Sequence, residues 1–558
     1  MEFHSLTGPT PSIPDNLSVP QFLLHHKHSI RPSRSQGTPW FIDGASGRKI
    51  QEQEVILRTA CLASGLQSAY RLEEDSVVLI FSPNHMDYPI CIWAVHRLLG
   101  IVSLANPTFT QSELVHQLRQ TRPALIILNA QTVDTVKAAA HEVGLSLNRL
   151  VVLDNTAAVT NVVSIDDLIR IGMARPIFEG RSLCAGEGKQ KLAFLSPSSG
   201  TTGVPKLVAI SHYAAIANCL QIAAHNKVGK DYTSWEKQRY RPGDVCIAVL
   251  PFYHMYGLDI VLNLIMFCAM TLVIVPKFQL EPFLESIDRY QVTHLMLVPP
   301  QVLLLCKEPG VKKYDLSKVR MVLCAGSSLT AELAEQLYKL LPMAQIGQAY
   351  GATEATGVVS IWPVGQHHGI SGGELIPGIV ARLIKKDGSL AGYNEPGELH
   401  VKTPSAALGY YGNVKATDET FVDGWINTGD LVQLNETHEV IFIERVKEIM
   451  KVRGFQVSPA ELEGCILDHP WIADAGVVSI PDDYSGEVPL AFVVPVPNIM
   501  NKINTLQLKE SVMKHVATRK APFKHLARVE IIGDIPRNPS GKLLRRVLRA
   551  RLPIYSKL

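Results

Sequence analysis

Residues 198–208 constrain this chain more than any other segment. Two glycines, four hydroxyl side chains and one lysine lie there between two apolar runs, residues 192–195 and 208–210. Glycines let a backbone approach an anion closely, while free amides, hydroxyls and an ammonium group bind phosphate oxygens. The segment therefore predicts a phosphate-binding loop between two strands, with ATP as the ligand. The predicted contacts are Ser198, Ser199, Gly200, Thr201, Thr202, Gly203 and Lys206.

This loop differs from the P-loop of kinases and GTPases, which places Gly-Lys-Ser/Thr at the start of a helix. Here Val204 and Pro205 separate the second glycine from Lys206. Proline suits a loop between strands better than a helix interior. A bare Gly-Thr-Thr-Gly is more often an ordinary hairpin turn, and that alternative stays open on turn chemistry alone.

The composition is that of a globular protein with more than one domain. A chain of 558 residues exceeds one ordinary hydrophobic core, so we expect at least two domains. The formal net charge is +3 and 19% of residues are charged, which gives no indication of a nucleic-acid partner. Nine cysteines lack Cys-x-x-Cys spacing, so we expect neither a disulfide framework nor a zinc site, and a reducing compartment fits best.

Three segments bear on targeting and membrane insertion. No basic and apolar sequence typical of a secretory signal opens the chain. Residues 258–275 are apolar, but Asp259 and Asn263 interrupt them, so we expect a buried helix running into a core strand rather than a membrane span. The final tripeptide Ser556-Lys557-Leu558 matches the peroxisomal import signal, which predicts an import receptor as a partner and a peroxisomal location.

The order of apolar runs predicts an α/β fold. Up to about residue 380, strand-like runs such as residues 77–80, 124–128 and 151–153 alternate with helical stretches such as 113–120, as in layered parallel sheets. Short strands at 398–401 and 440–443 indicate a β-rich subdomain over about 380–443. We expect an N-terminal domain over 1–444 and a small, mobile α+β domain over 445–558. The charged segment 444–451 between them predicts a hinge, although a solvated helix face has the same composition.

Three further strings carry chemistry. In residues 348–354, Glu354 offers the hard oxygen ligand that magnesium prefers, although a Thr-Glu pair is more often a helix cap. In residues 424–430, Asp430 offers two acceptor oxygens to vicinal hydroxyls, although Thr-Gly-Asp alone is more often a turn. In residues 535–545, Lys542 stands at the entrance of an amphipathic helix, where a solvated basic helix end is the alternative.

Together these strings resemble those of the adenylate-forming superfamily, which includes acyl-CoA synthetases, 4-coumarate-CoA ligases and luciferases. The resemblance spans residues 198–545 in the family's order. It implies that Tyr350 packs on adenine, Thr353 contacts phosphate and Glu354 binds Mg²⁺. It also implies that Asp430 holds the ribose hydroxyls and that Lys542 is the catalytic lysine of adenylation.

The resemblance extends to the hinge and to the acid-binding region. It implies ribose or phosphate contact for Arg445, pivoting for Lys447, and approach to the acyl-adenylate and thiol for Lys451 and Gln456. His254 lies in an aromatic motif near the acyl carboxylate. We assign it to positioning, because a carboxylate is already ionised at neutral pH and needs no general base. The candidates for the substrate pocket are Tyr256, Ile260, Ser327 and Ala349.

Three residues depart from the usual family pattern. Leu207 replaces a glycine after the loop lysine, Ala349 replaces a glycine and adds a methyl group to the acyl pocket, and Glu444 replaces an aspartate at the hinge. The fine geometry of the loop, the pocket and the hinge is therefore expected to differ from that of the relatives.

The activity that the resemblance implies is ATP-dependent acyl- or aryl-CoA ligation through an acyl-AMP. The nearest likeness is to fungal peroxisomal aryl- and acyl-CoA ligases, with an aromatic or medium-chain acid as substrate and secondary metabolism as one possible setting. A stand-alone enzyme that loads a carrier protein, a luciferase-like oxygenase and a nucleotide-binding protein without catalysis are the alternatives. Phenylacetate, cinnamates, heteroaromatic acids and medium-chain fatty acids all remain open, because one methylene changes selectivity by only about 1–3 kcal/mol.

Overall fold

The computed structural model describes residues 1–154, 162–198, 206–369, 371–446, 448–452, 455–482, 485–497, 499–501, 503–520, 522–538 and 541–552. Of the predicted site residues, Ser199, Gly200, Thr201, Thr202, Gly203 and Lys447 lie outside these ranges, as does the tripeptide 556–558. For Lys451 and Gln456 the backbone alone is described.

The strands are numbered in chain order over the described residues. They are β1 (Glu2–His4), β2 (Phe41–Asp43), β3 (Lys49–Ile50), β4 (Val77–Phe81), β5 (Ile101–Ala105), β6 (Leu125–Leu128), β7 (Leu150–Val152), β8 (Val163–Ser164), β9 (Leu192–Ser198), β10 (Lys206–Ser211), β11 (Val245–Ala248), β12 (Thr271–Ile274), β13 (His294–Leu297), β14 (Met321–Cys324), β15 (Gln345–Ala352), β16 (Gly357–Ile361), β17 (Glu374–Leu375), β18 (Val380–Ile384), β19 (Gly397–Lys402), β20 (Gly409–Tyr410), β21 (Phe421–Val422), β22 (Trp425–Leu434), β23 (Val440–Arg445), β24 (Met450–Val452), β25 (Phe455–Val457), β26 (Ile472–Asp482), β27 (Gly486–Pro495) and β28 (Arg528–Ile531).

The α-helices are numbered in the same way. They are α1 (Glu52–Tyr70), α2 (Tyr88–Arg97), α3 (Gln111–Thr121), α4 (Val133–Glu142), α5 (Ile165–Met173), α6 (His212–His225), α7 (Ile265–Phe267), α8 (Leu280–Tyr290), α9 (Pro299–Lys307), α10 (Ala331–Leu340), α11 (Val414–Thr420), α12 (Pro459–Leu467), α13 (Thr505–Ala517) and α14 (Arg545–Ala550). A π-helix over Tyr256–Leu264 leads directly into α7.

Two large sheets form the layered α/β part. One has the order β20-β10-β9-β5-β4-β6-β7-β8 and the other β17-β16-β15-β14-β13-β11-β12-β2-β3. Their central strands are parallel and buried, and β4, with the sequence VVLIF, is buried at every position. Continuous apolar runs are typical of strands covered on both faces, and the sequence prediction of parallel α/β layers is confirmed.

The predicted phosphate loop connects two antiparallel strands. Lys206 at the start of β10 pairs with Ser198 at the end of β9. The apolar runs on either side of the loop therefore form a hairpin, as the sequence predicts. This geometry differs from that of a P-loop, in which a helix follows the phosphate loop.

A third sheet is the β-rich part predicted for residues 380–443. Its order is β1-β18-β19-β22-β21, with β23 paired to β22. The N-terminal strand β1 closes one edge by pairing with β18, which the sequence analysis did not anticipate. This sheet shares its hydrophobic core with the two large sheets, since Phe3, Leu399 and Val432 belong to the same buried cluster as Phe41 and Phe194.

We use the name C-terminal unit for residues 450–552. Its sheet has the order β25-β24-β27-β26, with β28 paired to β27, and α12 and α13 pack on it. It has separate hydrophobic clusters, one of them centred on residues such as Leu462, Val477 and Val512. In the described part of the preceding charged segment, Glu444 and Arg445 end β23, and Met450 and Lys451 begin β24, so a helical reading does not fit these residues. The boundary at 444/445 stays a prediction.

The apolar segment 258–275 is buried. It forms the end of the π-helix, then α7 and β12, which agrees with the predicted helix leading into a core strand. No helix in the described residues combines the length and apolar character that a bilayer crossing requires.

Candidate functional site

A cavity of about 450 Å³ lies where strands of both large sheets end. Ser198 ends β9, His254 follows β11, Gly326 follows β14, and Tyr350 lies in the last half of β15. Ligands of open parallel sheets bind outside the carboxyl ends of the strands, where loops diverge. The fold thus brings distant sequence motifs together at the position expected for a small-molecule site.

Most of the predicted site residues line this cavity. It collects side chains from the phosphate hairpin, the two large sheets, the β-rich sheet and the C-terminal unit. The predicted residues in its wall are Ser198, Lys206, His254, Tyr256, Ile260, Ala349, Tyr350, Thr353, Glu354, Asp430, Arg445 and Lys542.

Glu354 and Lys206 line the cavity and contact the same tyrosine. Glu354 lies in a 3₁₀ turn, Thr353–Ala355, directly after β15. Its carboxylate accepts a hydrogen bond of 2.8 Å from the Tyr410 hydroxyl. The Lys206 ammonium lies 4.6 Å from the centroid of the same tyrosine ring. A cation and an anion are therefore held beside the predicted phosphate loop.

Asp430 is the centre of a second group. Its Oδ2 accepts a 2.6 Å hydrogen bond from the Tyr350 hydroxyl, and its Oδ1 lies 3.1 Å from Arg445 Nε. Asp430 and Arg445 are register partners on β22 and β23, so the sheet itself fixes the pair. Burial raises the pKa of Asp430, while Arg445 and Tyr350 oppose the rise. Oδ1 makes no conventional hydrogen bond among the described residues and could accept one from a ligand hydroxyl.

Lys542 reaches this group from the C-terminal unit. Its backbone amide donates to Asn538 Oδ1 at 2.8 Å, and Asn538 donates back to the Lys542 carbonyl at 2.8 Å. These two contacts lie shortly before α14, and Lys542 lines the cavity. Burial, together with the positive charge of Arg445, lowers the pKa of Lys542 to about 8.

Gly541 permits that approach. It has φ of +80°, a left-handed conformation that favours glycine. A Cβ atom at this position would lie 2.9 Å from Val298 Cγ2 and 3.4 Å from Pro300 Cδ. The turn that carries Lys542 therefore packs against the N-terminal end of α9 with no room for a side chain.

His254 also lines the cavity, close enough to Lys542 for the charge of the lysine to act on it. Burial lowers the pKa of His254 to about 4, and the charge of Lys542 acts in the same direction. Its Nδ1 accepts the backbone amide of Tyr256 at 3.2 Å, which leaves Nε2 to carry the proton of the neutral ring. A neutral imidazole suits the positioning role assigned from the sequence.

The apolar part of the cavity is formed by Tyr256, Ile260, Ala349 and Val358. The Tyr256 hydroxyl donates to the Leu323 carbonyl at 2.8 Å, which fixes the ring against β14.

Ser327, the fourth predicted pocket residue, lines an adjoining cavity of about 400 Å³. Ala349, Tyr350 and Lys542 border both spaces. Ser327 therefore lines the adjoining cavity and is not among the residues that line the first one.

A buried carboxyl group lies behind the apolar wall. Asp259 is on the π-helix next to Ile260 and has no exposed surface. A Cβ atom at Gly357, which lines the cavity, would lie 3.1 Å from Asp259 Oδ2. Burial raises the pKa of Asp259 well above its ordinary value, which favours the uncharged acid.

Glu444 links the β-rich sheet to the C-terminal unit. One carboxylate oxygen accepts the Ser458 hydroxyl at 2.9 Å and the Ala460 amide at 3.1 Å, at the N-terminus of α12. The other accepts the Arg445 amide at 3.0 Å. An anion is favourable at a helix N-terminus, and the longer glutamate side chain spans the gap between the two parts.

Among the residues that sequence reasoning missed, Tyr410 makes the most specific contacts. It lies 56 positions from Glu354 in the chain, and the pairing of β20 with β10 brings it to the site. Asn427 and Thr428, which lie within a motif that we noted for Asp430 alone, also line the cavity. The backbones of Lys451 and Gln456 are register partners on β24 and β25.

The donor set for a metal ion is small. Among the described residues, no cluster of three or more His, Cys, Asp or Glu side chains could hold a metal. A cation at Glu354 would therefore take its other ligands from phosphate oxygens and water, which is the usual mode for Mg²⁺. The residues present fit such a shared site and do not fit a metal centre made by the protein alone.

Comparison with known proteins gives the same assignment along the whole chain. The AMP-binding enzyme family matches residues 31–411, and the AMP-binding enzyme C-terminal domain matches residues 461–542. Peroxisomal OPC-8:0-CoA ligase 1 of Arabidopsis thaliana is 32% identical, with 100% of this chain and 97% of that protein covered. Acyl-CoA ligase easD of Emericella nidulans is 31% identical, with 96% and 97% covered.

Solved structures show the same fold. The anthranilate CoA ligase AuaEII, in complex with anthranoyl-AMP, superposes with a TM-score of 0.83 at 19% identity, covering 96% of this chain and 98% of that one. The ATP-bound RpMatB-BxBclM chimera B1 gives a TM-score of 0.80 at 25% identity, covering 96% and 99%. The chain therefore belongs to the AMP-binding enzyme family, among the adenylate-forming acyl-CoA ligases.

Proposed function

We propose that this enzyme converts a carboxylic acid, ATP and coenzyme A into an acyl-CoA, AMP and pyrophosphate. The observation that supports this most directly is the shared cavity: Lys542 from the C-terminal unit lies with Asp430, Glu354 and the apolar residues around Tyr256. One space thus offers groups for a ribose, for phosphates, for a carboxylate and for an apolar acyl group. Relatives named as CoA ligases support coenzyme A as the acceptor.

In the first step, a carboxylate oxygen attacks the α-phosphorus, and the bond to pyrophosphate breaks. Asp430 would accept the ribose hydroxyls, and Tyr350 would pack on the adenine. Lys542 would donate to the oxygens on which negative charge grows, which is electrostatic stabilisation of the transition state. His254, neutral at physiological pH, would orient the acid through its Nε2 proton.

The phosphate end needs further positive charge. Ser198, the loop residues 199–203, Thr353 and Lys206 would hold the β- and γ-phosphates. Glu354 would supply the protein's ligand to Mg²⁺, which when bound neutralises charge on the phosphate oxygens.

In the second step, the thiol sulfur of coenzyme A attacks the acyl carbonyl carbon, and AMP leaves with the bonding electron pair. We propose that the domain over 445–558 rotates about Lys447 between the steps, with Arg445 retaining nucleotide contact. Lys451 and Gln456 would then approach the acyl-adenylate and the thiol. A single polypeptide hinge is sufficient for such a rotation.

The acid is proposed to be aromatic or medium-chain. Support comes from the apolar walls of Tyr256, Ile260 and Val358, and from the methyl group of Ala349, which narrows the space. Ser327 offers a polar contact in the adjoining cavity. A setting in secondary metabolism would follow from the identity of that acid.

A screen of pyrophosphate release tests the reaction and the acid together. Purified enzyme is incubated with MgATP and single acids of each class, with and without coenzyme A. We expect pyrophosphate and AMP with aromatic or medium-chain acids, and thioester when coenzyme A is present. If pyrophosphate is released and an added carrier protein is acylated, but no acyl-CoA forms, the acyl acceptor would be the carrier protein instead of coenzyme A. Light emission from an adenylated luciferin would indicate oxygenase chemistry, and no AMP with any acid would refute the proposal.

We also propose a peroxisomal location and recognition by the import receptor. The tripeptide Ser556-Lys557-Leu558 and the name of the peroxisomal relative support it. A fluorescent protein fused to the N-terminus should collect in peroxisomes and become cytosolic when residues 556–558 are deleted. A distribution that the deletion leaves unchanged would contradict the proposal.

A further inference from the structure

Tyr410 occupies a position between two oppositely charged site residues. It lies on β20, the edge strand that pairs with β10, and its backbone register partner is Val208. The neighbouring hydrogen bonds from Leu408 to Ala209 and from Tyr411 to Leu207 lengthen this contact on both sides. The strand that follows the phosphate loop is therefore fixed to the segment that carries Tyr410.

The same segment also holds the turn of Glu354. The Tyr410 hydroxyl donates to Glu354 Oε1 at 2.8 Å, and the Ala407 amide donates to the Glu354 carbonyl at 2.9 Å. The side chain and the backbone of Glu354 are thus both bound by residues 407–410. This matters because the Glu354 turn has no side-chain cap of its own.

The face of the Tyr410 ring contacts Lys206 while the hydroxyl group is bound to Glu354. The Lys206 ammonium lies 4.6 Å from the ring centroid, within the range of a cation–π contact. In the described residues, Lys206 and Glu354 form no ion pair within 4.0 Å with each other. A free lysine and glutamate in one pocket attract strongly at low dielectric, so a group that contacts both can keep them apart.

We propose that Tyr410 is a positioning residue that sets the Glu354 carboxylate and the Lys206 ammonium for binding a nucleoside triphosphate together with its divalent cation. The hydroxyl group fixes the carboxylate that meets the cation, and the ring face fixes the ammonium that meets the phosphates. Holding both groups before the ligand arrives lowers the reorganisation that binding requires. This inference rests on the proposed function, because it takes MgATP as the ligand.

The two contacts can be separated by two variants. Tyr410→Phe removes the hydroxyl group and keeps the ring, whereas Tyr410→Leu removes both. Tyr411→Phe is the matched control, because Tyr411 packs against the apolar cluster of Leu195 and Ala209 and, among the described residues, forms no hydrogen bond or cation–π contact with Glu354 or Lys206. The melting temperature of each variant shows whether it is folded.

The measurement is calorimetric binding of ATP to full-length enzyme, without acid, over a range of Mg²⁺ concentrations. We expect Tyr410→Phe to raise the Mg²⁺ concentration for half-maximal ATP binding about 3–10-fold and to leave the binding of metal-free AMP unchanged. Tyr410→Leu should in addition weaken ATP binding a few-fold at saturating Mg²⁺. Tyr411→Phe should match the wild type.

A second background distinguishes positioning from general packing. In Glu354→Gln enzyme, Tyr410→Phe should cause no further change in the Mg²⁺ dependence, since both act on one contact. Additive effects in that background, or an unchanged Mg²⁺ dependence in Tyr410→Phe alone, would overturn the inference. Wild-type enzyme that fails to bind MgATP would instead refute the proposed function.

Discussion

The body formed by residues 1–445 and the C-terminal unit differ in how they are held together and how they meet. Each has its own hydrophobic clusters, and one continuous core joins the three sheets of the body. Between them, polar contacts are prominent: Glu444 binds the start of α12, and Lys307 Nζ donates to the Ile472 carbonyl at 3.0 Å. Apolar burial fixes each part, while exchangeable hydrogen bonds join them, which is suited to a unit that changes position.

The residues of the candidate site are divided between the body and the C-terminal unit. Asp430, Glu354 and the apolar pocket belong to the body, whereas Lys542 belongs to the C-terminal unit. Under the proposed function, the body would hold nucleotide and acid, and the C-terminal unit would add the charge for adenylation. Three predictions test this separation, and a fourth tests a buried group in the core of the body.

Lys542→Ala should have the largest effect. We expect the rate of acyl-AMP formation to fall about 10²–10³-fold or more, corresponding to about 3–4 kcal/mol, because a transition-state donor is lost. Thioester formation from synthetic acyl-AMP should be largely unchanged. Pyrophosphate exchange and thioester assays measure the two steps, with Lys514→Ala on the exposed face of α13 as control. Equal loss in both steps would contradict the separation.

The pH dependence of adenylation should follow Lys542. Because its pKa is lowered to about 8, its positive charge is present below pH 8 and is lost above it. We expect kcat/KM for the adenylation step to fall about tenfold per pH unit above pH 8. Arginine stays charged in this range, so any activity of Lys542→Arg should be independent of pH there. A profile that is flat for the wild type up to pH 10 would assign the role to another group.

Glu444→Gln should have a smaller effect, confined to the contact between the two parts. The variant loses the negative charge at the N-terminus of α12. We expect adenylation to slow about 3–10-fold because a charge-assisted contact that docks the C-terminal unit is weakened. Thioester formation from acyl-AMP should not slow. Glu436→Gln, on an exposed turn, is the control, and a loss confined to thioester formation would reverse the interpretation.

Asp259→Asn should change stability and should have the smallest effect on activity. The pKa of Asp259 is higher in the folded state than in the unfolded state, so above about pH 4 the folded state holds a proton that the unfolded state has lost. The contribution of Asp259 to the free energy of unfolding therefore becomes less favourable as the pH rises above about 4. The uncharged amide removes this cost, which is about 1.4 kcal/mol for each unit of pKa shift.

We therefore expect the Asp259→Asn variant to melt a few degrees higher at pH 7 and to show no gain below about pH 4. Asp418→Asn, on the surface of α11, should melt like the wild type at both pH values. A lower melting temperature at neutral pH would show that Asp259 is ionised and paired.

The sequence alone predicts those site residues that lie in short contiguous motifs. Lys206, Glu354, Asp430 and Lys542 are each recognised from their immediate neighbours, and the structure brings them to one cavity. Tyr410 was missed because its role depends on strand pairing between distant segments, which no local spacing encodes.

The role of Ser327 in the substrate pocket stays a prediction. Its neighbours in the chain place it in the loop after β14, but which of the two adjoining cavities it lines depends on tertiary packing, which no local spacing encodes. In the same way, the sequence shows that Glu444 replaces the usual aspartate, but it does not show that the Glu444 carboxylate accepts a hydrogen bond from the Ala460 amide.

Gly541 lets the C-terminal unit approach the body closely at this contact. A methyl group added at this position would clash with Val298 and strain the backbone, so we expect it to keep the C-terminal unit from docking fully against the body. Such a chain would keep Asp430, Arg445 and Lys542, but under the proposed function we expect it to hold Lys542 farther from the α-phosphate. The two steps of the reaction could thus be uncoupled by a carbon atom that touches no substrate.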